Sequence, residues 1–438
     1  MEIKMDSLAG VPVYPDVKLY GNVLLDMRVW EGDGWKEETM SWKEGCYVHS
    51  GLSGPTEITF KGPDAQRLLS TVSINNCYKW PIGKSKHLVM CDENGLIAGH
   101  GLTVRDSEDS FRSFACPPWA VYQNSKLKYN VDIFFRNIFI VQVAGPKSLQ
   151  VIEEVTGENL HDLEFLNVHK TKIQGIDAEI EVSRIGMAGT LAYELRGAFE
   201  LGAAVYDLVY NAGKPLGIKR LGWRSYVVNH VEGGFPQFNC TFTGSCYSDA
   251  EYMNQFGAAV IVDLSGSVDP ANLRARYRTP SEVGWDWMAK FDHDFIGRKA
   301  VESEVNNPKR KIVTLRWNPD DVLDTFASLL KPGEAYKTIE LPCGQLQPAG
   351  GHADYVTKDG KQIGISSGTT YSYYYREVIS HCTIDIDQAE IGNEVLVHWG
   401  DYGKRIKEIR AVVERYPYLD LPRNENIDVN KLSSEFSI

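Results

Sequence analysis

Basic residues are in short supply in this chain of 438 residues: 46 Lys and Arg stand against 58 Asp and Glu, a net charge of −12. With no cationic excess to neutralise phosphates, nucleic acid and anionic membrane are excluded as the main partner, although a local basic pocket for one small anion stays open. Long apolar runs are lacking too; none approaches the roughly 20 residues needed to span a bilayer. The opening MEIKMDSLAGVPVYPDV has no basic segment followed by an apolar one, so no secretion signal is read there and a cytoplasmic protein is expected. The eight cysteines, Cys46, Cys77, Cys91, Cys116, Cys240, Cys246, Cys343 and Cys382, are scattered with no Cys-x-x-Cys pair. Buried free thiols are expected, and zinc is not. No G-x-G-x-x-G opens a helix, and there is no phosphate-binding P-loop, G-x-S-x-G elbow or H-E-x-x-H, so no nicotinamide, flavin or nucleotide cofactor is supported. Asp292-His293-Asp294 could suggest a metal, but adjacent residues on a turn rarely converge on one ion, and a solvated or capping role is expected.

What is present is an ordinary globular balance, 43% hydrophobic and 24% charged, in a chain long enough for two or three domains. EITFKG, from Glu57, alternates as a strand does, and PDAQRLLSTV follows as a helix, with Pro63 suited to its first position. HLVMCDENGLIAGHGLTVR reads as a β-hairpin turning at Asp92-Glu93-Asn94-Gly95. FKGPDAQRLL and VAGPKSLQVI repeat one pattern of strand, glycine turn and helix, a duplication at the level of a domain. KIQGIDAEIEVSRIGMAGTLAYELRG reads as two strands joined through glycine-rich loops, and the following segment as a helix, a loop ending in Gly217 and a second helix. Residues 254–279 read mostly as loop. After Asn306, KRKIVTLRW, IGISSGTTYSYYY, REVISHCTIDI, EVLVHWG and IRAVVERYPY are short strands at barrel-like spacing. The expectation is an α+β body over 1–305, made of two intertwined subdomains, a small β-barrel over 309–422, and a polar, mobile end.

Six segments in order carry a resemblance: FKGPDAQRLLS, RIGMAGTLAYELRG, RLGWRSYVVNHVEGG, KFDHDFIGRKAV, RKIVTLRWNPDDVL with FASLL, and IGISSGTTYSYYYREVISHCTID. Together they span nearly the whole chain and resemble the folate-binding aminomethyltransferase family of the glycine-cleavage T-protein, in particular its tetrahydrofolate-dependent vanillate and syringate O-demethylases. The resemblance implies a three-domain clover leaf with the folate in a central channel. It implies that Glu194, in LAYEL, grips the pterin, and a carboxylate does suit two parallel N–H donors. Phe165 matches an aromatic position beside the folate, Phe235 a tryptophan of the demethylases, and Arg224 an arginine of the T-protein motif. Tyr226 matches the tyrosine assigned to demethylation, and Glu232 a glutamate read as structural. His100 stands where the family has aspartate. Where the vanillate enzymes have Gln and His, this chain has Gly51 and Gly54 within HSGLSGPTE, and Pro117 stands where they have an arginine able to hold a carboxylate. A less acidic or differently anchored substrate is expected, with Arg112 and His49 as alternative anchors.

The chemistry so implied is methyl transfer from a small methoxylated aromatic compound to tetrahydrofolate. An ether oxygen leaves poorly unless it gains a proton, a task worth about 10²–10⁴ in rate. Tyr226 is expected as the acid, assisted by His100, in a monomer or small homo-oligomer. Methylene, N-methyl and S-methyl donors stay open. A non-catalytic iron–sulfur assembly role is disfavoured because Lys-Gly-Cys-Tyr-x-Gly-Gln-Glu is missing, and an amine dehydrogenase fragment because no flavin domain is present.

Overall fold

The computed structural model describes residues 31–50, 56–114, 116–238, 240–256, 264–344 and 351–434. Gly51 and Gly54 lie outside these residues, as does 257–263 of the stretch read as loop.

The strand–glycine–helix unit appears twice. Strand Thr56–Lys61 leads through Gly62 to helix Ala65–Val72, and strand Asp132–Ala144 leads through Gly145 to helix Ser148–Thr156. Both glycines have positive φ, 139° and 125°, and a Cβ on either would run into backbone, at Asn130 and at Gly45–Cys46 respectively, so the turn requires glycine at both places. Pro63 precedes the first helix rather than opening it, because Asp64 occupies the N-cap position. Each helix buries one apolar face: Leu68, Leu69 and Val72 in the first, Val151, Ile152 and Val155 in the second.

One sheet joins the two units. Its order is Ser85–Cys91, Ile97–Arg105, Ser110–Phe114, Thr56–Lys61, Asp132–Ala144, Ala192–Ala198, Glu179–Ser183 and Val168–Lys172. The long strand Asp132–Ala144 is the seam. Residues 132–137 pair with Thr56–Lys61, and 138–144 pair with Ala192–Ala198. The short strand Tyr47–His49 adds to the end of the seam and also pairs with Lys219–Arg220.

A closed six-stranded barrel follows, built from Arg310–Trp317, Glu377–Asp385, Lys361–Ser372, Asp354–Lys358, Glu394–Trp399 and Lys407–Glu414. The three largest apolar cores among the described residues lie one under each repeated unit and one inside the barrel around Leu315, Val356, Val397 and Trp399. Helix Pro319–Ser328, not expected from the sequence, is capped by Asn318, whose side chain accepts from the Asp320 and Asp321 N–H groups. The tail expected to be mobile after residue 422 is instead docked as far as residue 434. Buried Arg184 donates to Asn424 Oδ1 and to the Asn424 and Ile427 carbonyls, and Val429 enters the second core.

The three parts meet at helix Trp223–Gly233. Its Glu232 accepts from Lys43 of helix Trp35–Glu44 at 2.5 Å and from Ser372 of the barrel at 2.6 Å, with Lys43 and Glu232 at most 1% exposed. Glu232 therefore has the structural place expected of it.

Candidate functional site

Helix Trp223–Gly233 is buried along Ser225–Gly233 and presents Tyr226 to the centre of the molecule. Trp223 stacks on the Tyr226 ring (centroids 4.8 Å, 12°), His49 lies against it at 4.9 Å, and His230, one turn on, meets it at 4.8 Å. The Tyr226 hydroxyl donates to Met187 Sδ (3.3 Å) and accepts from Gln237 Nε2 (3.2 Å). Burial holds this phenol well above its ordinary value of 10.

Beyond His230 the chain turns back, and Phe235 packs on His230, His87 and Trp285 at 5.6–5.9 Å and on His100 at 6.2 Å. His87 and His100 sit on one face of the hairpin, because His100 pairs with Val89 two residues from His87. His87 Nε2 and His100 Nδ1 are 3.0 Å apart. Phe238, Phe242 and Trp285 close around the His100 ring. Burial keeps all four imidazoles of this cluster neutral. His49 and His87 fall to about 4 and His230 to about 3, while His100 is lowered well below 6.5 by burial and then by His87 and His230. His49 Nε2, His100 Nε2 and both His230 ring nitrogens are buried without a hydrogen-bond partner among the described residues. Such groups are costly to leave bare.

A chain of hydrogen bonds runs from this helix to Glu194. Asn229 Nδ2 donates to Tyr47 Oη (3.3 Å), Tyr47 donates to Gln142 Oε1 (2.7 Å), and Gln142 Nε2 donates to Glu194 Oε1 (3.0 Å). Glu194 Oε2 has Arg196 at 3.7 Å, beyond hydrogen-bond reach. Arg196 is 2% exposed, and its Nε and Nη1 lack hydrogen-bond partners, with Glu181 at 3.9 Å and Glu194 at 3.7 Å as ion-pair neighbours. Burial raises the Glu194 carboxyl above 4.5 against the opposing pull of Arg196 and Gln142. A buried carboxylate with one oxygen anchored and the other open suits a flat ligand that presents N–H donors, as the pterin edge of tetrahydrofolate does.

Of the residues singled out from sequence, the structure thus brings Tyr226, His100 and Phe235 into one aromatic cluster and connects Glu194 to its helix. It does not bring Arg224 there. Arg224 donates twice to the Leu341 carbonyl (2.8 and 3.1 Å) and pairs with Glu31 at 2.5 Å, tying the helix to the barrel connection between helix Pro319–Ser328 and strand Asp354–Lys358. Phe165 pairs with Arg184 in a single β-bridge and contributes no ring contact to the cluster. Arg112 is consumed by Asp106, Glu181 and Glu57 at 2.6–3.2 Å and is not free to hold a carboxylate. His49, by contrast, reaches the cluster. Asp292 pairs with Lys79 (2.6 Å) and Asp294 with Arg298 (2.7 Å), the solvated roles expected, whereas His293 is buried with its Nε2 3.2 Å from the Ser73 carbonyl. None of the eight cysteines forms a disulfide. Sequence reading missed His87, His230, Tyr47 and Gln142; for His87 the hairpin register held the clue.

Comparison with known proteins agrees with this architecture. Residues 19–246 match the GCVT N-terminal domain. Over 94% of this chain and 93% of the relative, the sequence is 36% identical to a sesamin methylene transferase of Sinomonas sp. (strain No.22). It is 28% identical to a syringate O-demethylase of Sphingobium sp. (strain NBRC 103272 / SYK-6), covering 91% of each. The fold matches the glycine cleavage system aminomethyltransferase T of Bartonella henselae with a TM-score of 0.64, over 89% of this chain and 91% of that one, at 14% identity. The chain belongs to the GCVT family and is an enzyme of its one-carbon transferase type. Among the described residues, no helix is long and apolar enough to cross a membrane.

Proposed function

We propose that the protein moves a one-carbon group from an uncharged aromatic ether to tetrahydrofolate. The observation that carries this reading is Glu194, a buried carboxylate with an open oxygen, linked through Gln142 and Tyr47 to the helix that carries Tyr226. Glu194 would hold the folate, which supplies the nitrogen that accepts the carbon. The aromatic rings around Tyr226 and His100 would hold the donor and keep water out.

Two features favour a neutral donor. Arg112, read from the sequence as an alternative carboxylate anchor, and Arg224 are both committed to other partners. The imidazoles of the cluster are held uncharged by burial. A methylenedioxyarene fits this, and the relative at 36% identity is named for methylene transfer from sesamin. A methoxyarene is the second reading, favoured by the similarity to the syringate O-demethylase. Tyr226, held well above 10, is a better hydrogen-bond donor to the leaving oxygen than a source of a free proton.

The experiment is incubation with tetrahydrofolate and paired methylenedioxyarenes and methoxyarenes, neutral and carboxylated, with folates read by mass. Neutral methylenedioxyarenes should yield 5,10-methylenetetrahydrofolate and a catechol. A 5-methyl product would select the second reading, and no one-carbon folate from any donor would end both.

A further inference from the structure

His87 and His100 differ from the other buried histidines in being bonded to each other. The His381 ring is spent on Thr241 and the Val231 carbonyl, both at 3.1 Å, which makes it scaffold. His230 has two bare nitrogens and no hydrogen bond to a second imidazole. His87 and His100 share one N–H···N contact at 3.0 Å; both residues are half-buried, both rings pack on Phe235 and Trp285, and His100 turns a bare, fully buried Nε2 into the aromatic cluster. A neutral imidazole has one donor and one acceptor nitrogen, so two such rings in contact have linked tautomers. A proton taken up at one outer nitrogen is matched by a proton given up at the other.

The proposed reaction needs such a device. For each C–O bond broken, the electron pair stays on oxygen, which gains a proton to become a phenol. The carbon joins an amine nitrogen of the folate, and that nitrogen gives one proton up. Protons balance without outside acid, but they must travel from nitrogen to oxygen, twice for a methylenedioxy donor. Tyr226 can hold a hydrogen bond there, yet its ionisation in a dry site is uphill.

The geometry points to His87–His100 as the proton relay of this site, with His100 facing the reacting atoms and His87 a positioning and relay residue acting through it. This rests on the transfer reading above. It also gives a role to the histidine that replaces the family's aspartate.

The test uses the full chain. In 15N-labelled protein without ligand, NMR at neutral pH should show two neutral imidazoles coupled across an N–H···N bond; an isolated His100 ring overturns the pair. In turnover with tetrahydrofolate and a neutral methylenedioxyarene, His87→Gln keeps an amide to bond His100 but cannot pass a proton. It should lower kcat about 10²-fold while KM and tetrahydrofolate binding by calorimetry stay unchanged. His87→Ala should lose a similar factor and regain part of it with added imidazole. A Gln variant as fast as wild type makes His87 a structural ring and sinks the relay while transfer stands. A wild-type enzyme that makes no one-carbon folate sinks the transfer reading, and the relay with it.

Discussion

Glu194 and Glu232 are both buried carboxylates near the middle of the molecule, and their neighbours treat them in opposite ways. Glu232 has an ammonium on one oxygen and a hydroxyl on the other, at 2.5 and 2.6 Å. Glu194 has one amide N–H at 3.0 Å and a guanidinium held at 3.7 Å. A saturated buried charge joins parts of a fold. An unsaturated one costs stability unless something else completes it, which is the mark of a binding group.

The contrast can be broken from either side. The largest effect is expected from Glu232→Ala, which strands Lys43 in the interior and should cost about 3–5 kcal/mol in denaturant unfolding. A Lys43→Met, Glu232→Leu double variant should recover much of that loss. Next is Tyr226→Phe, which should lower turnover about 10²-fold with folate affinity unchanged by calorimetry; a loss of only a few-fold would remove Tyr226 from the chemistry. Glu194→Gln should cost far less stability than Glu232→Ala, because the amide oxygen can still accept from Gln142 and Arg196 keeps Glu181 at 3.9 Å. Tetrahydrofolate affinity should fall by about 1.5–3 kcal/mol; unchanged affinity would take Glu194 out of the pocket. The gentlest perturbation is pH. His49, His87 and His381 sit near 4 and His230 near 3 in the folded chain, against 6.5 when free. The unfolded chain therefore binds more protons in acid, so stability present above about 6.5 should decline, shallowly at first, as pH falls towards 4. A flat profile in thermal unfolding across that window would show that the rings are not held neutral.

Local order was the most legible part of the chain. Alternation and Asp92–Gly95 gave the hairpin, and spacing gave most of the barrel strands. Glu194 and Tyr226 were singled out through the family resemblance of LAYEL and WRSYVVN, not through composition or spacing. Motif position did not give side-chain direction, so Arg224 and Arg112 fall in plausible segments yet spend their guanidinium groups on packing partners far along the chain. The histidine cluster was hidden because its members come from three separate segments, strand Tyr47–His49, the hairpin with His87 and His100, and helix Trp223–Gly233. The tail was misread because its polar composition does not reveal that Arg184, far upstream, needs its carbonyls.

Strand Asp132–Ala144 hands one half of its length to each copy of the repeated unit. Any change of register there, by insertion or deletion, would shift the ladders on both sides together. The duplicated halves are therefore not separable modules, and neither should survive expression alone. A workable division of the polypeptide into two associating fragments lies further on, at Asn307–Lys309, between helix Arg298–Asn306 and the first barrel strand, where no ladder is cut.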